Sequence, residues 1–251
     1  MYQIMKKFLK FTLGTLLLVI VGLTLFGYII SEKEPIGKTG PEAEKLAQQM
    51  LASINVQQWQ STNYVQWSFK NMHHFLWDKQ RNWCKVTWSN NEVYLILDEI
   101  DGKAFIDGQA VNKEENEKLV KEAWGYFCND SFWLNAPAKA FDPGTERSIV
   151  TLKDGRTGLK VKYNGGGVTP GDSYVWILDK NNRPTSYKMW VNIIPIGGLE
   201  FSWENYVQLS SGALIASLHQ SKFLNIEITN LKSGNNYNDM GFTTDPFETL
   251  N

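Results

Sequence analysis

Asn129-Asp130-Ser131-Phe132-Trp133-Leu134 sits where one residue pattern stops and another begins. Before it, Leu119, Val120, Ala123, Trp124 and Phe127 recur at helical spacing, while Glu114, Lys118, Lys121 and Glu122 hold the opposite face. A helix with one greasy stripe and a charged back lies on an apolar surface with its back in water. Asn112 is placed to cap it, with Glu115 three residues on as in a capping box. On either side of this segment the period drops to two, the signature of half-buried strands. The hexapeptide therefore reads as the hinge that lays a helix over a curved sheet. Asn129 and Asp130 would end the helix by bonding local backbone, and Phe132, Trp133 and Leu134 would pack.

Working outward, Val65, Trp67 and Phe69 alternate with Gln66 and Ser68. His73 to Lys79, Trp83 to Trp88 and Val93 to Leu97 continue a meander, with Asn90-Asn91 as a tight turn. Asp101-Gly102, Asp107-Gly108 and Asp142-Pro143-Gly144 are further turn signals. Downstream, Asp154-Gly155 separates two strands, and Leu159, Val161 and Tyr163 alternate with lysines. Tyr174, Trp176 and Leu178 alternate next, then Tyr187, Met189 and Val191. Leu199, Phe201 and Trp203 against Glu200, Ser202 and Glu204 form the cleanest alternation in the chain. Strands near Leu214 to His219 and Leu224 to Ile228 close the count. An earlier helix starts at Pro41 and runs to about Ile54 with one apolar stripe. Ten or eleven short antiparallel strands must curl or close. The expected fold is mainly β (α+β): a curved antiparallel half-barrel over residues 41–230, with two helices covering its concave side. Residues 231–251 read as a loose polar tail.

Lys6, Lys7 and Lys10 precede Phe11 to Ile30, which carries no charge. Twenty helical residues span ~30 Å, the hydrocarbon thickness of a bilayer. A cleaved signal peptide would have a shorter apolar run and a small-residue cleavage site. The expectation is a single uncleaved transmembrane helix over 11–30 after a basic cytoplasmic tail at 1–10. It would leave the domain in the periplasm of a bacterial inner membrane. Residues 31–40 read as a tether. A formal net charge of −1 lacks the basic footprint of a nucleic-acid binder.

Sites of chemistry are scarce in this sequence. His73 and His74 are neighbours in a strand and point to opposite faces, so only one can join His219 inside, and no ligand spacing supports a metal. Asp130-Ser131 lacks the Gly-x-Ser-x-Gly elbow of a hydrolase. Gly165 to Asp172 lacks the Lys-Ser/Thr ending of a phosphate loop and leads into a strand. No cofactor motif is present. Cys84 and Cys128 either form a disulfide that staples helix to sheet or remain two buried thiols. Ten Trp, ten Tyr and thirteen Phe make either a dry core or the wall of a cavity. The cavity candidates are Trp67, Phe69, Trp77, Trp88, Trp133, Trp176, Phe201 and Trp203.

The order helix, strands, helix, strands resembles the lipoprotein-localisation fold of the LolA and LolB type. Four phrases are similar to a group of bacterial envelope proteins on that fold: His74-Phe75-Leu76-Trp77-Asp78, the opening hexapeptide, Asp142-Pro143-Gly144, and Gly166-Gly167-Val168-Thr169-Pro170-Gly171-Asp172-Ser173-Tyr174. The resemblance implies a half-barrel that takes acyl chains. This chain departs from it in having neither a lipidated Cys at the N-terminus nor a shed signal peptide, which argues against a shuttling carrier. The expected function is a membrane-tethered, non-catalytic binding protein whose partner is a lipid or an acylated protein. The alternatives are an envelope assembly scaffold that binds a protein and a glycan-binding module.

Overall fold

A computed structural model describes residues 11, 12, 14–16, 22, 27, 29–165, 171–194 and 196–251. The basic tail at 1–10 and most of the span expected over 11–30 lie outside these residues, as does the middle of the glycine loop. Among the described residues no helix is long and apolar enough to cross a membrane.

From Pro41 onward the described residues form three α-helices and fourteen strands. Helix α1 (Pro41–Ser53) starts on Gly40 and Pro41 as expected, and a short helix α2 (Val56–Gln60) follows it. Strands β1 (Tyr64–Phe69), β2 (His73–Asp78), β3 (Trp83–Trp88), β4 (Asn91–Ile96), β5 (Asp101–Ile106) and β6 (Gln109–Ala110) form a meander. Helix α3 (Lys113–Asn135) comes next. Then come β7 (Thr145–Thr151), β8 (Thr157–Tyr163), β9 (Ser173–Leu178), β10 (Pro184–Trp190), β11 (Leu199–Ser202), β12 (Glu204–Gln208), β13 (Leu214–Gln220) and β14 (Asn225–Gly234). The expected ten or eleven strands were too few. Asp101-Gly102 opens β5 instead of making a turn, and the cleanest alternation is cut in two at Trp203.

Every strand pairing is antiparallel, and there are two sheets where one half-barrel was expected. A nine-stranded sheet runs β12-β13-β14-β1-β2-β3-β4-β5-β6, and a five-stranded sheet runs β11-β10-β9-β8-β7. Neither closes into a barrel. The sheets adjoin where the chain passes from β11 to β12: Trp203 N–H donates to the Thr185 carbonyl at 2.7 Å, and the next residues pair with β13. The bend lets Trp203 itself be buried between the sheets.

Helix α3 does not end at Asn129. Its Asn112 cap is real, the side chain accepting from Glu115 N–H at 3.0 Å. Asn129 and Asp130 weaken a helix by only tenths of a kcal/mol, and packing outweighs that. Asp130 bonds across to β2 rather than to local backbone, while Trp133 and Leu134 are buried in the main core. Termination comes at Pro137, whose ring would strike the preceding turn, and a 3-10 turn (Ala136–Lys139) takes over. The helix packs on β4, β5 and β13, while α1 packs on β7 and β8, where Arg147 forks onto Glu44 at 2.8 and 2.9 Å. The two helices thus hold to different parts of the molecule.

Both segments read as loose are docked. Past β14 the chain returns over the outer face of the nine-stranded sheet, and Phe247 and Met240 are buried against Tyr64 and Leu76. Arg81 clamps it, donating to Asp245 at 2.6 and 2.8 Å and to Asp78 at 2.7 Å. Ser31 to Lys38 run over the outer face of the five-stranded sheet. Lys38 and Ile149 exchange backbone hydrogen bonds at 2.9 Å, and the Glu32 carboxylate meets the buried Lys188 ammonium at 2.8 Å. Lys160 and the Ser173 hydroxyl donate to Glu34 at 3.1 and 2.9 Å. Burial works against the ionised Glu34, yet these two donors hold its pKa below the usual carboxylate value. A Cβ on Gly37 would lie 2.3 Å from the Ser148 hydroxyl, so only glycine allows this approach.

Candidate functional site

Helix α3 meets the two sheets differently. Toward the nine-stranded sheet the space is filled. Trp67 is fully buried and stacks on Phe75 with centroids 4.5 Å apart, and Trp77 and Phe127 meet it edge-on or tilted at 6.5 and 6.3 Å. Trp88 packs edge-on against Tyr126 at 5.3 Å, and Phe69 is buried beside His73. Around the bend at Trp203 the packing is equally dense. Trp176 meets Trp203 edge-on at 5.2 Å, Trp203 lies 4.0 Å from His219, and Phe201 meets Trp133 at 4.8 Å. Seven of the eight cavity candidates are therefore core. Trp133 alone also lines a cavity.

That cavity encloses about 530 Å³ between the C-terminal half of α3 and the five-stranded sheet. Trp124, Phe132 and Trp133 form its helix wall, and Tyr174, Tyr187 and Met189 its sheet wall. The register explains the position. Leu159, Trp176, Tyr187 and Phe201 form one cross-strand row, and Val161, Tyr174, Met189 and Leu199 the row two residues along. The first row is packed under Trp133 and Trp203. The hollow opens beside them, over Tyr187 of the first row and Tyr174 and Met189 of the second. Phe132 reaches down onto Tyr174 at 4.4 Å and closes one side. All these residues alternate correctly in the sequence. Alternation gives the inward face and says nothing about how far along the strand the filling stops.

The walls are mostly carbon, with the polar groups Lys139, Asp142, Asp172, Asn129, Ser131 and the Cys128 thiol around them. The Tyr163 and Tyr187 hydroxyls are buried without a hydrogen-bond partner among the described residues, and burial pushes both phenols well above their ordinary pKa. Both cysteines are free. Cys84 lies in the core on the first sheet and Cys128 on the cavity wall, so α3 keeps them on different sides and no disulfide staples it. Burial lifts the Cys128 thiol to about 11.

The titratable groups lie apart. His73 Nδ1 and Asp130 Oδ2 are 2.7 Å apart, and His73 stacks on Tyr126 at 3.9 Å. Burial raises the Asp130 pKa, and the bonds to His73 and Asn129 only partly offset it. Neither residue lines the cavity, whereas Ser131 does. His74 Nδ1 bonds the Ser68 hydroxyl at 2.7 Å on the other face, as the alternation required. His219 is fully buried against Trp133 and Trp203, and burial lowers its pKa to about 4 although the backbones of Ser202 and Trp133 pull it the other way. Among the described residues no group of three or more His, Cys, Asp or Glu is placed to hold a metal. Lys79 binds the Trp59 carbonyl over the Trp59 ring, and its burial brings the ammonium down to about 8.

No family model matches the chain, and no curated protein matches it either. Among solved structures it is similar to a DUF1329 family protein from Desulfovibrio piger. That alignment covers 83% of this chain and 98% of the other, at 9% identity and a TM-score of 0.41.

Proposed function

We propose that the chain is a membrane-tethered periplasmic protein that binds an apolar ligand, such as a lipid, an acyl chain or the acylated end of a lipoprotein, without chemistry. The supporting observation is the hollow of about 530 Å³ with aromatic and aliphatic walls. Ligand sites commonly enclose ~300–1,000 Å³ with few polar groups. Burying a dozen methylenes gains about 10 kcal/mol gross, which leaves useful affinity after the entropy of association is subtracted. The uncharged run Phe11 to Ile30 supports the tether, and the half-barrel of the lipoprotein-localisation fold is the finer reading of the two adjoining sheets.

A second reading, a scaffold for a protein partner, is favoured by Met72, Phe223 and Leu224, which are exposed apolar residues in turns at one end of β1 and β14. Glycan binding has less support. Trp83 and Trp190, on the outward faces, are covered by Phe247 and by the Glu32 segment.

The test is native mass spectrometry of residues 31–251, secreted to the periplasm and purified without detergent. The expected spectrum carries extra mass that organic extraction identifies as lipid. A bare polypeptide that stays bare when lipid extract is added would overturn the proposal and favour the scaffold.

A further inference from the structure

The docked segment Ser31–Lys38 meets the loop that follows β10, and that loop also reaches the cavity. Ile193 lines the cavity and is 70% exposed, so it stands at the opening, with Val191 and Ile194 beside it. The same loop holds the end of the N-terminal apolar run. Glu32 N–H donates to the Gly197 carbonyl at 2.9 Å, Gly197 N–H donates to the Ser31 hydroxyl at 3.0 Å, and Trp190 Nε1–H donates to the Glu32 carbonyl at 2.8 Å. A Cβ on Gly197 would lie 2.6 Å from that Glu32 carbonyl. Ile29 and Ile30 are helical, and Ser31 N–H continues the helix onto the Gly27 carbonyl at 3.0 Å. Gly27 lies beside Ile196, which a Cβ there would meet at 3.8 Å. The end of the apolar run and the cavity opening thus meet the same loop.

From this we infer that the Val191–Gly198 loop is a membrane-contacting surface that holds the cavity mouth against the bilayer, so that lipid passes directly between membrane and cavity. The inference rests on the reading that Phe11–Ile30 spans the membrane and that the cavity takes lipid. The chemistry of the rim agrees with it. Ile193 is an apolar side chain left in water, Trp190 sits at the docked junction, and Lys33 and Lys153 are exposed on either side of it. Apolar tips, tryptophan and lysine together suit the interface of a bilayer with anionic headgroups. A long flexible tether would let the domain reach partners away from the membrane. A docked one gives that reach up for a fixed orientation.

The test uses the full chain in vesicles of phosphatidylethanolamine and phosphatidylglycerol, with Ile193 replaced by the photoreactive residue p-benzoylphenylalanine. The control carries the same residue at Lys113, at the exposed far end of α3. Lipid adducts after irradiation are expected at least tenfold more often at 193 than at 113. A second chain carries about twelve Gly/Ser residues between Ile30 and Ser31, adding roughly 20 Å of slack while leaving the docked segment intact. Adducts at 193 are then expected to fall to the level of the control. Equal adducts at 193 and 113, or a yield unchanged by the insert, would overturn the inference. If residues 31–251 still carry lipid in native mass spectra, only the membrane-facing mouth has failed. If they are bare, the binding reading has failed with it.

Discussion

The two sheets are built from the same kinds of residue, yet α3 packs solidly against one and leaves a hollow against the other. On the nine-stranded side, Trp67, Phe75, Trp77 and Phe127 interlock within 4.5 to 6.5 Å of one another. On the five-stranded side, Phe132 and Trp133 touch Tyr174 and Tyr187 and enclose about 530 Å³. The difference shows that aromatic content does not decide whether a core is dry. What decides it is where along the strands the large side chains stop.

The largest effect expected from this contrast is on stability. Trp67→Ala should cost about 3–5 kcal/mol, because the ring is fully buried in the main core. Phe132→Ala should cost no more than about half of that, because one side of its ring already faces empty space. Urea unfolding of both variants checks the ratio, and equal losses would mean the hollow is closed in solution.

Acid should weaken the region around the bend. The folded-state pKa of His219, about 4, lies below its ordinary value, so the unfolded chain binds the extra proton. Stability is then retained above about pH 6.5 and lost as pH falls toward 4, by up to about 3 kcal/mol. His219→Phe should flatten that part of the pH profile, leaving the contribution of the carboxylates unchanged.

A smaller effect concerns the orphan phenol. Tyr187→Phe removes a buried hydroxyl with no partner, and should leave stability unchanged or raise it by about 1 kcal/mol. Thermal melts with and without bound lipid sharpen the point. A variant that loses stability only when loaded would show that the hydroxyl meets the ligand.

Much of the fold was legible. The period of two placed the inward faces of β1 and β8 to β11, and Asn112 marked the start of α3 correctly. What was not legible depended on distant partners. Asp130 looked like a helix breaker because its partner His73 is 57 residues away. Residues 31–40 and 231–251 looked loose because Lys188, Lys160 and Arg81 lie far from them in sequence. Of the eight aromatic candidates Trp133 lines the hollow, and Tyr174, Tyr187 and Met189, which also line it, were not among them. Trp176 and Tyr174 share a face and differ only in what stands opposite them.

The most direct measurement is tryptophan quenching by a dibrominated stearate titrated into residues 31–251, since bromine quenches near rings far more strongly than distant ones. Trp124 and Trp133 line the cavity, whereas Trp67, Trp176 and Trp203 are buried outside it. The account predicts saturable quenching at one equivalent, mostly lost when Trp124 and Trp133 are both changed to Phe. Quenching that never saturates, or that survives in the double variant, would contradict a ligand site between α3 and the five-stranded sheet.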